Sequence, residues 1–525
     1  MKTSDEIFLL IRSLSGKEKL FFRKKYLLLT SDADNNYLKL FDEISKQADA
    51  EIDYDESKIK KGSYTGKFIK NLSFHKNFLY NAILSSLSFF HKDSRDIFIV
   101  RNLITQAEIL SDKLLHVQSL KILQRTKKTS SEKDLLNSKY EIINTERLIG
   151  KYSDTVEEYS VKMKELFRQQ YDILEFQQNL LDYFVLNDKV SLFSRKSGSG
   201  RIRDKEELVE FENVFENPLL RNIENAKTFQ SRIIFYNLNI QFNLTKNNFE
   251  EAYKNAKSGA DLWKNNNSKI TGRLVSYVNS LNNLLNCEIR TKRFNECELT
   301  AAKMRSIAES FPGQLTESIK VFIFYSLSIL MLSKNMAVAD TEKLRTMETE
   351  IRNDLRLYEE KITLYQRIIL FYFLSSSNFT QGEFEKCIYW TGKIFNLSTT
   401  DLSEDYQCYA KIIQLISYYE LGYTNSMEYA LKSAYHFISK RKRVYKYENI
   451  IQKYLRKSFR IKTNKELQDM FREMKQELEE IFHDEYERNA FDAFNILPWL
   501  ESRIRGISTI QVIKEKISGK LKIES

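Results

Sequence analysis

His483 and Glu487 stand four residues apart in "FHDEYERNAFDAF" (482–494), beside Asp484 and Asp492. That spacing puts an imidazole and a carboxylate on one helix face, which is two ligands where a structural metal site takes four. A solvated charged helix has the same composition, and no metal ligand is assigned. His75, His91, His116 and His436 are scattered and form no H-E-x-x-H pattern. Cys287, Cys297, Cys387 and Cys408 show no C-x-x-C spacing, and three of them fall where packed helices want a small apolar residue. A disulfide framework or zinc site is therefore not expected, and free thiols suit a reducing cytoplasm. "SRKSGSGRIR" (194–203) is the only Gly/Ser-rich run. It lacks the G-x-x-x-x-G-K-[ST] pattern and follows no strand, so it reads as an exposed loop open to trypsin, not a phosphate cradle. No G-x-S-x-G element is present. No catalytic residue and no cofactor is expected, and the chain reads as a non-enzyme.

Basic residues offer a second chemistry. Lys58, Lys60, Lys61, Lys67, Lys70 and Lys76 crowd one segment with no acid among them, around Gly62 and Gly66. As a helix-turn-helix it would turn Lys67, Lys70, His75, Lys76 and Asn77 toward DNA. As a polar helical cap it would cover the end of a repeat array, which arrays require. Further on, "KRKRVYKYENIIQKYLRKSFRIK" (440–462) holds ten basic residues and one acid. Lys446, Lys453, Lys457 and Arg460 form a stripe at helical spacing beside Val444, Tyr447, Ile451 and Tyr454. Lysines interleaved with tyrosines can hold phosphates and stack bases. The following segment is the opposite: Glu466, Asp469, Glu473, Glu477, Glu480 and Asp484 form an acidic stripe beside Leu467, Met470, Met474, Leu478 and Ile481. Two such helices can pair antiparallel and mask each other's charge, and that intramolecular pairing is the favoured expectation. The net charge of +11 over 525 residues permits an acidic partner without demanding one.

The elements that position these residues follow from composition. Only three prolines (Pro218, Pro312, Pro498) and 14 glycines occur, with 42% hydrophobic and 29% charged residues. Proline breaks helices and glycine weakens them, so the chain is expected to be all-α. No run approaches 18 uninterrupted apolar residues, so no membrane span is expected.

A repeat organises the helices. In "QGEFEKCIYWTGKIF" (381–395), Gly382 ends an apolar helix, while Phe384, Cys387 and Thr391 recur on one face of the next. The aromatic is expected to fill the gap between the two helices and the small residue to let them approach. Phe249 with Ala252, Phe294 with Cys297, Met336 with Ala339, and Gly422 repeat the pattern at intervals near 40 to 45. Such a period marks stacked helical hairpins. Residues 246–440 resemble degenerate tetratricopeptide repeats in the turn and second helix, although the first-helix Trp-x-x-Leu-Gly pattern is largely absent. "LIRSLSGKEKLFF" and "WLESRI" (499–504), with "NNYLKLFDEI" and "KFIKNLSFHKNFLYNAIL", resemble the ends of an uncharacterised bacterial family of tetratricopeptide-like helical-repeat proteins. That resemblance implies a fold of helical repeats and no activity.

The expected architecture is a tetratricopeptide-like solenoid of antiparallel helical hairpins with helical caps at both ends. The boundaries read 1–95 for the cap or helix-turn-helix-like module, 96–193 for helical hairpins, 194–205 for a linker, 206–440 for the repeats and 441–525 for the basic/acidic hairpin and tail. The expected function is a cytoplasmic scaffold that holds a peptide or partner protein in its groove, with Tyr236, Asn239, Asn279, Asn283 and Tyr418 as groove residues. The alternative is a DNA-binding regulator with ligand-sensing repeats, contacting nucleic acid through the lysines above, His75, Asn77 and Arg460.

Overall fold

The computed structural model describes residues 3–29, 36–50, 54–62, 64, 66–150, 155–196, 202, 204–397, 404–439, 445–458, 463–484 and 486–519. Among them the chain is all-helical, with 27 α-helices, a few 3-10 turns and no strand. The backbone divides into two compact units, Met1–Gln170 and Tyr171–Ser525, and the boundary falls inside one continuous helix, Val156–Lys196. Residues 197–201 and 203 of the Gly/Ser-rich run lie outside the described residues. Ile202, between them, is buried.

In the first unit, Thr3–Ser13, Gly16–Leu29, Asn36–Asp49 and Leu72–Phe90 enclose a core of Ile7, Ile11, Phe41, Ile44, Leu79 and Ile83. The helices Asp96–Asp112, His116–Glu132 and Leu136–Ile149 then pack in succession.

In the second unit five helix pairs follow one another. Their first helices are Phe229–Thr245, Leu274–Arg290, Glu317–Ala337, Leu364–Gln381 and Glu404–Glu420. Their second helices are Phe249–Lys264, Phe294–Arg305, Thr341–Tyr358, Phe384–Phe395 and Thr424–Ser439. Each second helix packs against its own first helix, each next first helix packs on the second helix before it, and successive first helices touch. Helix starts within each series are spaced 40 to 47 residues apart.

One turn joins all five pairs. Asn247, Lys292, Ala339, Gly382 and Gly422 each adopt a left-handed backbone, at φ of 57°, 59°, 55°, 79° and 71°. The amide of the following residue donates to the carbonyl five residues back, as Glu383 does to Asn378 at 2.9 Å and Arg293 to Glu288 at 2.7 Å. This is the Schellman closure, which satisfies carbonyls left orphaned at a helix end. Gly382 takes the conformation its place in the sequence called for. Lys292 and Asn247 adopt it despite a Cβ, so at those positions glycine was not the signal. The first unit uses the same turn at Leu114 and Asp134 (φ 62° and 54°).

The aromatic of the motif is placed differently from expectation. Phe294 and Phe384 are only half-buried. Each is the first residue of its helix, so its ring covers the mouth of the hairpin; Phe384 meets Phe379 edge-on at 5.9 Å. The interior is filled one turn later, by Cys387, Trp390, Thr391 and Ile394, and by Cys297, Ala301 and Met304. Trp390 and Trp263 are fully buried, and each indole N–H is satisfied, by Glu348 Oε1 at 2.9 Å and by Ser280 Oγ at 2.9 Å.

Glu317–Ala337 is the one described helix long and apolar enough to cross a membrane by length and composition. It packs on four pair helices, Leu274–Arg290, Phe294–Arg305, Thr341–Tyr358 and Leu364–Gln381, and carries Lys334, buried and paired with Glu298 at 2.6 Å.

Beyond the pairs, Lys446–Ser458 packs on Asn464–Phe482, which packs on Leu497–Arg505. Lys453 pairs with Glu477 and Lys457 with Glu473, both at 2.6 Å, and Lys446 reaches Asp484 at 3.9 Å. The order of these pairs makes the two helices antiparallel. Ile451, Tyr454, Met470, Met474 and Leu478 are buried between and beneath them. Exposed pairs of this kind contribute little energy; the apolar face carries the packing, at roughly 25 cal/mol per Å² buried.

Candidate interaction cleft

The first helices of the first two pairs, Phe229–Thr245 and Leu274–Arg290, leave a cleft of about 600 Å³ between them. Its floor is apolar, with Ile233, Ile240 and Leu244. Its walls carry neutral amides, Gln230, Asn237, Gln241, Asn279 and Asn283, and the one charged lining residue is Arg273. Helical spacing produces this arrangement: Gln230, Asn237, Gln241 and Leu244 recur at threes, fours and sevens on one face. Asn283 donates to Asn237 Oδ1 across the cleft at 3.0 Å. Among the described residues the side-chain amides of Gln230 and Asn279, and the Asn237 Nδ2 group, have no other partner. An amide that both donates and accepts matches the peptide backbone, which does the same.

Of the five residues expected in a groove, Asn279 and Asn283 line this cleft. The other three do not. Tyr236 faces the second helix of its own pair, where its ring lies against Gly259: a methyl added there would meet Tyr236 Cβ at 3.5 Å. Asn239 folds its amide back onto the Phe235 carbonyl at 3.0 Å. Tyr418 sits at the turn, against the ring of Tyr423. Asn237, Gln230 and Gln241 were missed although the first helices were expected to form the groove, because sequence does not fix which face of Phe229–Thr245 is turned to Leu274–Arg290.

At Leu364–Gln381 and Glu404–Glu420 the corresponding surface is covered by the C-terminal segment. Tyr372 donates its hydroxyl to the Ala493 carbonyl at 2.6 Å, and Phe494 meets Phe379 edge-on at 5.2 Å. Trp499, fully buried, closes the contact on Glu420.

The candidate nucleic-acid residues are dispersed. His75 is stacked on Phe68 at 3.9 Å, its Nδ1 is 2.7 Å from the Tyr37 hydroxyl, and burial lowers its pKa. Lys76 is buried, paired with Glu56 and set over the Tyr54 ring. Lys76 does not face solvent as a DNA contact must, and His75 is partly covered; both belong to the aromatic packing of the first core. Lys67, Lys70 and Asn77 are exposed. Lys453 and Lys457 are engaged by Glu477 and Glu473. Arg460 and Val444 lie outside the described residues.

The four cysteines are buried free thiols. Burial pushes the Cys287 thiol up to about 12 and Cys297 to about 11, so neither is a ready nucleophile. Among the described residues no three His, Cys, Asp or Glu side chains gather into a metal-ligating group.

No family model, no curated protein and no solved structure matches this chain.

Proposed function

We propose that the five pairs form a tetratricopeptide-like solenoid and that the protein is a non-enzymatic scaffold, binding a partner protein in the cleft between Phe229–Thr245 and Leu274–Arg290. The observation that carries the reading is an open cleft walled by neutral amides over an apolar floor, on first helices that stack side by side. In such arrays the first helices form the inner face, and small rotations between repeats curve it into a groove. With one arginine in its lining, the cleft offers far less to a phosphate backbone than to a polypeptide. The exposed side chain of Val275 at its edge gives a handle for testing. A photo-crosslinking residue at position 275 should yield adducts in the native cell that protease removes and nuclease does not. The same residue at Tyr389, exposed on a second helix, should not. Equal labelling from both positions, or nuclease-sensitive adducts from 275, would reject the scaffold reading.

A further inference from the structure

The covered cleft and the open one are built on the same positions. Tyr372 precedes its left-handed turn residue Gly382 by ten positions, as Asn237 precedes Asn247; Phe379 and Leu244 each precede theirs by three. On the facing helices, Tyr406 and Tyr409 correspond to Ser276 and Asn279 when counted back from Gly422 and Lys292. At the covered cleft the chain shows what this surface can hold. Phe494 is extended, at φ −144° and ψ 101°. The carbonyl before it accepts from Tyr372, its own carbonyl accepts from the buried Tyr447 hydroxyl, and its ring packs on Phe379. One carbonyl is thus read by a hydroxyl of the pair itself, Tyr372, the other by Tyr447 of the C-terminal helix Lys446–Ser458, and the aromatic side chain is read by an apolar floor. At the open cleft the three tyrosines are replaced by Asn237, Ser276 and Asn279. The volume that tyrosine rings fill in one place is empty in the other, while the floor residue, Leu244, remains apolar.

We propose that the open cleft takes an extended segment of a partner protein that supplies the missing aromatic ring, with its backbone carbonyls held by the amides of Asn237, Asn279 and Gln230. The inference rests on the scaffold reading and names the ligand of the same cleft. An extended strand suits donors spaced along a helix, because alternate side chains can enter the cleft while carbonyls meet its walls. Arg273, at the rim, adds a single positive charge that tolerates an acidic residue at one end of the segment.

The test uses the full chain and a displayed library of random decapeptides. Enriched peptides, labelled and measured by fluorescence polarisation, should carry an aromatic residue and show no helical signal on binding. Asn237→Ala with Asn279→Ala should weaken them at least tenfold, as should Val275→Arg, which narrows the cleft from a solvent-exposed position. Tyr389→Ala should leave binding unchanged. A melting temperature matching wild type keeps the first variant interpretable, and Val275→Arg gives an independent reading. Failure to enrich peptides, enrichment without aromatics, helix formation on binding, or indifference to both cleft variants would overturn the inference. Protease-sensitive adducts at position 275 alongside any of those results would leave the scaffold reading standing and reject only the extended aromatic ligand.

Discussion

Trp499 donates its indole N–H to Glu420 Oε1 at 2.6 Å, and Arg503 holds the other carboxylate oxygen at 3.0 Å. The two donors lie one helical turn apart in "WLESRI", and the acceptor ends the last of the five first helices. Burial raises the Glu420 pKa, while Arg503 and Trp499 oppose the shift. Trp499→Phe keeps an aromatic ring, leaves a small cavity where the rest of the indole stood and removes one donor from a buried carboxylate. It should cost at least about 1–3 kcal/mol, the penalty for an unsatisfied buried group. Urea unfolding measures the loss, and hydrogen exchange should place it in Glu404–Glu420. Unchanged protection there would show that the contact does not anchor the C-terminal segment.

Glu288 is buried between the second pair's helices and accepts from Thr300 Oγ1 at 3.0 Å. Burial raises its pKa from 4.5 to about 7, with the Thr300 hydrogen bond opposing. The native state therefore binds a proton more tightly than the unfolded chain. Stability should fall as pH climbs from about 4.5 to about 7 and stay low above that range. Glu288→Gln keeps an acceptor for Thr300 and removes the titration. The variant should match wild type near the acid end of that window and exceed it by roughly 1–3 kcal/mol above the upper end. Denaturant melts across pH decide it; a constant difference at every pH would exclude the carboxyl as the cause.

The left-handed turns separate backbone strain from packing. A methyl added at Gly382 meets no atom within 4 Å, so Gly382→Ala should cost only the strain of a left-handed alanine, about 1–2 kcal/mol. Lys292 is exposed and already bears that strain. Lys292→Gly should stabilise the protein by about 0.5–1 kcal/mol, since relief of strain outweighs the added freedom of the unfolded chain. Thermal melts with opposite signs at the two sites support the shared turn; the same sign at both would contradict it.

The basic and acidic helices give a third contrast. Changing Glu473, Glu477 and Glu480 to Lys places three cations beside Lys453 and Lys457. The loss should be about 1–2 kcal/mol, since exposed pairs contribute roughly 0–1 kcal/mol each and reversal adds repulsion. Unfolding of the variant by urea at low and high salt checks this, and the defect should shrink as salt screens it. A wild type that binds nucleic acid tightly near physiological salt, and loses binding on neutralising Lys453 and Lys457, would show that these lysines are not masked.

The scarcity of proline and glycine was enough to read an all-helical chain, because every long helix needs only the absence of breakers and a periodic apolar face. The recurrence of Phe249, Phe294 and Phe384 near 45-residue steps located three of the second helices, because a hairpin turn fixes what must follow it. The opposed stripes at 446–457 and 466–484 were legible for the same reason: helical spacing turns composition into a face. What tertiary structure alone decided was which faces remain open. Asn237 and Tyr372 hold the same place before their turns, yet one lines an empty cleft and the other is covered by Ala493 and Phe494. Lys76 reads as a surface cation and is buried against Glu56 and Tyr54. Local periodicity specifies a side chain's direction from its own helix axis. Whether anything stands in that direction depends on other segments, 20 residues away for Lys76 and 121 for Tyr372, and only the folded chain brings them there.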